Sequence, residues 1–127
     1  MPDVRFPVEV VRGTPVVATP EEVDITNANE LRTALLEAWA DGPRTLVVDM
    51  TRTLFCDSAG LHALVGAHRR AKAEGGAVVL AVSGEPILRI LELTGLGAVI
   101  PNFTSLDEAL AQTASAPSTA QEPCGPA

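Results

Sequence analysis

The 127-residue chain has a formal net charge of −7; 46% of it is hydrophobic and only 3% aromatic. That is enough apolar material for one packed domain and too little length for two, and no basic stripe with stacking rings suggests direct binding of nucleic acid. No apolar run approaches the roughly 18 residues of a membrane span, no signal-peptide core opens the chain, and Cys56 and Cys124 stand in unlike, distant contexts that suggest neither a disulfide framework nor a metal knot.

Phe6–Val11 and Pro15–Thr19 read as two short strands, and the turn at Arg12-Gly13-Thr14 makes them a hairpin. Asn27 stands three residues before Glu30, the spacing of a capping box. Ala28, Leu31, Leu35, Ala38 and Trp39 follow at helical steps, and Asp41-Gly42-Pro43 is a stop signal. Thr45–Met50 is β-branched and apolar, as expected of a strand covered on at least one face. A helix is expected from Ala59 to about Glu74 through Leu61, Leu64, Val65 and His68, ended by Gly75-Gly76. Ala77–Val82 is a further strand, so Thr45–Val82 forms a βαβ unit with parallel strands.

Pro86 suits the first turn of a third helix carrying Ile87, Ile90 and Leu91 and ending at Thr94-Gly95. Val99-Ile100 reads as a last short strand. Ser105 and Glu108 form a second capping-box pattern before a helix with Leu106, Ala109 and Leu110 inward. From Ser115 the composition shifts to Ala, Ser, Pro and Gly without periodicity, which predicts disorder over 115–127. The expected domain is residues 4–114, an α/β sheet with its helices on one side.

The chemistry concentrates at Asp57-Ser58-Ala59-Gly60-Leu61, where a strand gives way to a helix. Ser58 can cap that helix, act as a nucleophile, or accept a phosphate near free backbone N–H groups. Catalysis is the weakest of the three. A nucleophile elbow needs Gly two residues before the Ser, where Cys56 stands, and Asp57, Ser58 and His62 lie within one turn instead of converging from separate segments. As a phosphate acceptor, Ser58 would gain about −1.5 to −2 charges beside Asp57. The helix N–H groups could hold that phosphate locally, so the switch would act on whatever docks over this corner.

Other candidates have plain structural readings. His62 is expected to be partly exposed and His68 to flank the core, at a spacing that gives no shared metal face. Cys56 reads as a small hydrophobe in the loop before the helix. Gly95-Leu96-Gly97 follows a helix, not a strand, and is a helix stop, not a phosphate loop.

Leu46-Val47-Val48-Asp49-Met50, Phe55-Cys56-Asp57-Ser58-Ala59-Gly60-Leu61, Gly75-Gly76 and Leu93-Thr94-Gly95-Leu96 together resemble the STAS domain of anti-sigma factor antagonists. The resemblance implies a small mixed β-sheet of four to five strands with about four helices, cytoplasmic and non-enzymatic, with no cofactor or metal. It implies binding to an anti-sigma factor that is also an ATP-dependent serine kinase, which frees a sigma factor. That kinase would phosphorylate Ser58, weakening the complex, and a serine phosphatase would reset it. Carried over by position, Asp24, Asp57, Ser58, Ala59 and Gly60 form the partner-binding face. Where the family usually has Gly-Glu, this chain has Glu21-Glu22 after Pro20, which alters the expected turn. The alternative is a STAS module that binds another regulatory partner or a small ligand without phosphorylation.

Overall fold

Arg12 and Gly13 both lie at positive φ, 52° and 83°, the backbone of a two-residue hairpin turn whose twist matches that of the strands. They fold β1 (Val8–Val11) against β2 (Thr14–Ala18) in antiparallel register, with Val8 opposite Val17 and Val11 opposite Thr14. The computed structural model describes residues 6–40 and 44–115. The expected stop at Asp41-Gly42-Pro43, Cys124 and residues 116–127 of the expected tail lie outside the described residues; Ser115, expected to begin that tail, instead ends the last helix.

After the hairpin come β3 (Glu22–Val23), α1 (Ala28–Trp39), β4 (Thr45–Asp49), β5 (Phe55–Cys56) and α2 (Ser58–Ala73). They are followed by β6 (Ala77–Ala81), α3 (Glu85–Thr94), a 3-10 turn at Leu96–Ala98, β7 (Asn102–Phe103) and α4 (Leu106–Ser115). The main sheet has the order β1-β2-β4-β6-β7, and β3 and β5 form a second, two-stranded sheet. Among the described residues only the β1–β2 pair is antiparallel; β2–β4, β4–β6, β6–β7 and β3–β5 are parallel. The βαβ unit expected over Thr45–Val82 is present, with Leu46 opposite Val78 and Val48 opposite Leu80.

Successive residues of a strand point to opposite faces, and here both faces are covered. Val17, Leu46, Val48, Val78 and Leu80 join Leu31, Leu35 and Trp39 of α1, Leu64 of α2 and Ile87 of α3 in the larger core. Val16, Val47, Val79 and Ala81 turn the other way and pack on Ala109 and Leu110 of α4. The helices are therefore not all on one side, as the sequence reading had it. Three central strands apolar on both faces need a second cover, and α4 supplies it.

Local signals explain most element ends. Gly95, at φ 80°, closes α3 in the left-handed conformation. Ser105 Oγ accepts the Glu108 N–H at 3.1 Å, as its capping role requires. The Glu108 carboxylate reaches instead to the N–H and hydroxyl of Thr104, at 3.2 and 2.8 Å.

Val99-Ile100 is not a strand. The Leu96 carbonyl accepts both their N–H groups at 2.9 Å, winding this segment helically. The strand begins after Pro101, at Asn102, whose side-chain amide donates to the Gly97 and Ile100 carbonyls. On α2 the buried face is Gly60, Ala63, Leu64 and Ala71. Leu61 and Val65, expected inward, are half-buried beside it, and so is His68, expected to flank the core.

Candidate functional site

The short β3–β5 pair places the β3–α1 loop beside the start of α2. Glu22 stands opposite Phe55 and Val23 opposite Cys56. The Asp57 N–H continues the ladder to the Val23 carbonyl at 3.0 Å. Asp57 is then extended (φ −90°, ψ −173°) and serves as the N-cap of α2. Its Oδ1 accepts the N–H groups of Ala59 and Gly60, at 2.9 and 3.1 Å. Its Oδ2 accepts the Ile25 N–H at 3.1 Å, across from the other loop.

Capping therefore falls to Asp57, and Ser58 is the first residue of the helix proper, with its side chain exposed. An acceptor one residue earlier, on extended backbone, reaches the second and third N–H groups of the helix. This also corrects the expectation that first-turn N–H groups are free to hold a phosphate. Those of Ala59 and Gly60 are already taken by the Asp57 carboxylate.

Gly60 has a packing reason. A Cβ there would stand 2.7 Å from both Cys56 Sγ and Val23 Cγ1, so only glycine lets the helix start rest directly on the β3–β5 seam. Cys56 belongs to β5, not to a loop, and is a free, buried thiol. Burial, helped by the nearby Asp57 charge, pushes its pKa from 9.0 up to about 12, which keeps it protonated and unreactive near neutral pH.

Asp24 organises the facing loop. Its Oδ1 accepts the N–H and the hydroxyl of Thr26, at 2.9 and 2.5 Å. Its carbonyl accepts the N–H groups of Asn27 and Ala28, at 3.0 and 2.8 Å. Buried Asn27 makes no side-chain cap to α1, contrary to the capping-box expectation. Its Oδ1 accepts the Asp24 N–H and its Nδ2 donates to the Glu22 carbonyl, both at 2.9 Å. Glu21 does not occupy the positive-φ region, so its turn does not call for glycine. Its carbonyl accepts the Leu54 and Phe55 N–H groups at 2.8 and 3.1 Å.

Asp24, Asp57, Ser58, Ala59 and Gly60 thus share one corner, joined through Ile25. Around the exposed serine, sequence reasoning missed three exposed apolar side chains: Ile25 at 77%, Leu54 at 57% and Phe55 at 48%. The available signal was an isolated Ile between polar residues and a Leu-Phe pair just before the motif. Among the described residues no hydrogen bond joins Ser58 to His62, which is exposed. Both oxygens of Asp57 are committed to backbone N–H groups, so no base-and-orienter relay forms. No group of three or more His, Cys, Asp or Glu among the described residues could hold a metal ion. No described helix is long and apolar enough to cross a membrane.

A mixed five-stranded sheet, helices on both its faces and a two-stranded annex that delivers a serine to the start of a helix define the class of domain. The chain belongs to the STAS domain family, whose model matches residues 5–109. It is similar to the crystal structure of an anti-sigma factor antagonist from Mycobacterium paratuberculosis, with 31% identity and a TM-score of 0.80, over 87% of this chain and 93% of that one. It is also similar to the anti-sigma factor antagonist SpoIIAA in its unphosphorylated form, with 25% identity and a TM-score of 0.72, over 86% of this chain and 96% of that one. The phosphorylated form, described as a Bacillus cell fate determinant, shares the fold at 24% identity and a TM-score of 0.66, over 85% of this chain and 98% of that one.

Proposed function

We propose that this protein is an anti-sigma factor antagonist. In its unphosphorylated state it binds an anti-sigma factor that is also an ATP-dependent serine kinase, and so frees a sigma factor. Phosphorylation at Ser58 by that kinase releases it, and a serine phosphatase restores the binding form. The similarity to the mycobacterial antagonist and to unphosphorylated SpoIIAA supports the role.

The observation that carries the switch is an exposed Ser58 on a corner whose two aspartates are engaged by backbone N–H groups. The Asp57 and Asp24 carboxylates hold backbone N–H groups and so fix the loops on either side of the serine. The same corner exposes the Ser58 hydroxyl and the apolar side chains of Ile25 and Phe55, a surface that a partner can cover by burying apolar area.

A phosphate on Ser58 would add about −1.5 to −2 charges there. The Asp57 negative charge repels it, and the N–H groups of Ala59 and Gly60 are already occupied, so the phosphate projects outward into the docking face. Burying that charge without a matched cation is costly. The fold stays as it is and the interface weakens.

Ser58→Ala and Ser58→Asp, each titrated against the cognate anti-sigma kinase by isothermal calorimetry, test this reading. Ser58→Ala should bind at least about tenfold tighter than Ser58→Asp, roughly 1.4 kcal/mol. Equal affinities would favour a STAS module that binds its partner without phosphorylation.

A further inference from the structure

Away from Ser58, a cavity of about 210 Å³ lies between α1 and α2 over the main sheet. Its floor is Leu46 of β4 and Val78 of β6, and its α1 wall is Leu35 and Trp39. The opposite wall comes from Ala63, Gly66 and Ala67, small residues on one face of α2. Their small side chains are why the space exists. A Cβ added at Gly66 would meet nothing within 4 Å.

The mouth differs from the floor. Arg32 reaches it from α1 and Arg70 from α2. Arg32 Nη1 donates to the neutral Asn29 Oδ1 at 2.6 Å. Arg70 Nε lies 3.4 Å from Glu74 Oε2, while Glu74 Oε1 accepts the Trp39 indole N–H at 2.7 Å. Glu74 therefore offsets one guanidinium, and among the described residues no carboxylate pairs with the other, a local excess of positive charge on a chain of net charge −7.

We propose that this cavity binds a small amphipathic monocarboxylate, with its apolar body between α1 and α2 and its carboxylate on Arg32 and Arg70. The size sets the body. An apolar cavity of roughly 150 Å³ accommodates a benzene ring, whereas drug-sized ligands occupy about 300 Å³ or more. The charge sets the head. Guanidinium groups match carboxylate oxygens in geometry, and the exposed Arg70–Glu74 pair, spaced i to i+4, is weak enough to yield. A nucleotide is too large and too polar for an apolar slot of this volume.

Trp39 is the single Trp of a chain without Tyr, so its fluorescence reports directly on the cavity. The probe is octanoate, with 1-octanol as the neutral comparison, titrated into the full chain. Octanoate should change Trp39 emission saturably and bind at least about tenfold tighter than 1-octanol. An Arg32→Gln/Arg70→Gln double variant should erase that preference. Gly66→Leu, which grows into open space, should weaken octanoate binding at least about tenfold with unchanged circular dichroism. The proposal is overturned if octanoate gives no saturable change, if 1-octanol binds equally well, or if folded Gly66→Leu binds octanoate like the native chain. None of these readouts involves Ser58 or the kinase.

Discussion

Asn27 and Asp57 precede neighbouring helices, and both are residue types that cap helices, yet only Asp57 caps its own. Asp57 divides its carboxylate, one oxygen to the first turn of α2 and the other to the Ile25 N–H of the loop before α1. Asn27 turns away from α1 and ties that loop from within, through the Asp24 N–H and the Glu22 carbonyl. Local sequence makes the two look alike; the β3–β5 pairing separates them. Where two loops lie side by side, a polar side chain can serve backbone groups that its own helix does not offer. The result is a hydrogen-bonded corner with Ser58 exposed upon it.

Enlarging the residue through which α2 rests on the β3–β5 seam should break this arrangement most severely. Gly60→Val would drive a side chain into Cys56 and Val23, and should cost about 3 kcal/mol in urea denaturation at unchanged m-value. Asn27→Ala should come next, at about 2 kcal/mol, because it strips partners from the Asp24 N–H and the Glu22 carbonyl. Asp57→Ala should cost about 1 to 2 kcal/mol. Asp57→Ser sharpens the contrast, since a serine can cap α2 but is too short to reach Ile25. It should recover most of the stability while amide exchange at Ile25 speeds up, and equal protection at Ile25 in the two proteins would show that the bridge contributes nothing.

The smallest effect is a slope with pH. Unfolded Cys56 ionises near 9.0, while the folded thiol holds its proton to about 12. Below pH 9 both states are protonated and this group adds no pH dependence. From pH 9 to about 12 only the unfolded chain loses the proton, so stability should fall with pH across that window. Cys56→Ala should remove this part of the slope.

Much of the fold was legible because its signals are periodic. The helices announced themselves by stripes such as Leu31, Leu35 and Trp39, and β4 and β6 by continuous apolar runs. Those runs also held the clue to α4, since strands apolar on both faces cannot be covered from one side. β3 and β5 were not legible: two residues carry no period, and each exists only because the other pairs with it. Val99-Ile100 misled because an apolar pair looks the same in a strand and in a tight helical turn.

At the site, the motif drew attention to Ser58 and Asp57 but offered the helix cap to Ser58, where the structure gives it to Asp57. Either residue type can cap, and only the extended backbone at position 57 decides which one does. Ile25 and Phe55 escaped notice because exposure on a loop is a tertiary property, set by what fails to cover them.

The central claim is that Ser58 accepts the phosphate and that another protein performs the chemistry. Incubating the full chain and Ser58→Ala with the cognate anti-sigma kinase and ATP, then locating phosphate by peptide mass spectrometry, tests it most directly. The account predicts one phosphate, on Ser58, absent from Ser58→Ala, with the amide spectrum of the modified protein changed only around residues 24–26 and 54–60. Phosphate on any other residue, or none from a kinase that binds the chain, would contradict it.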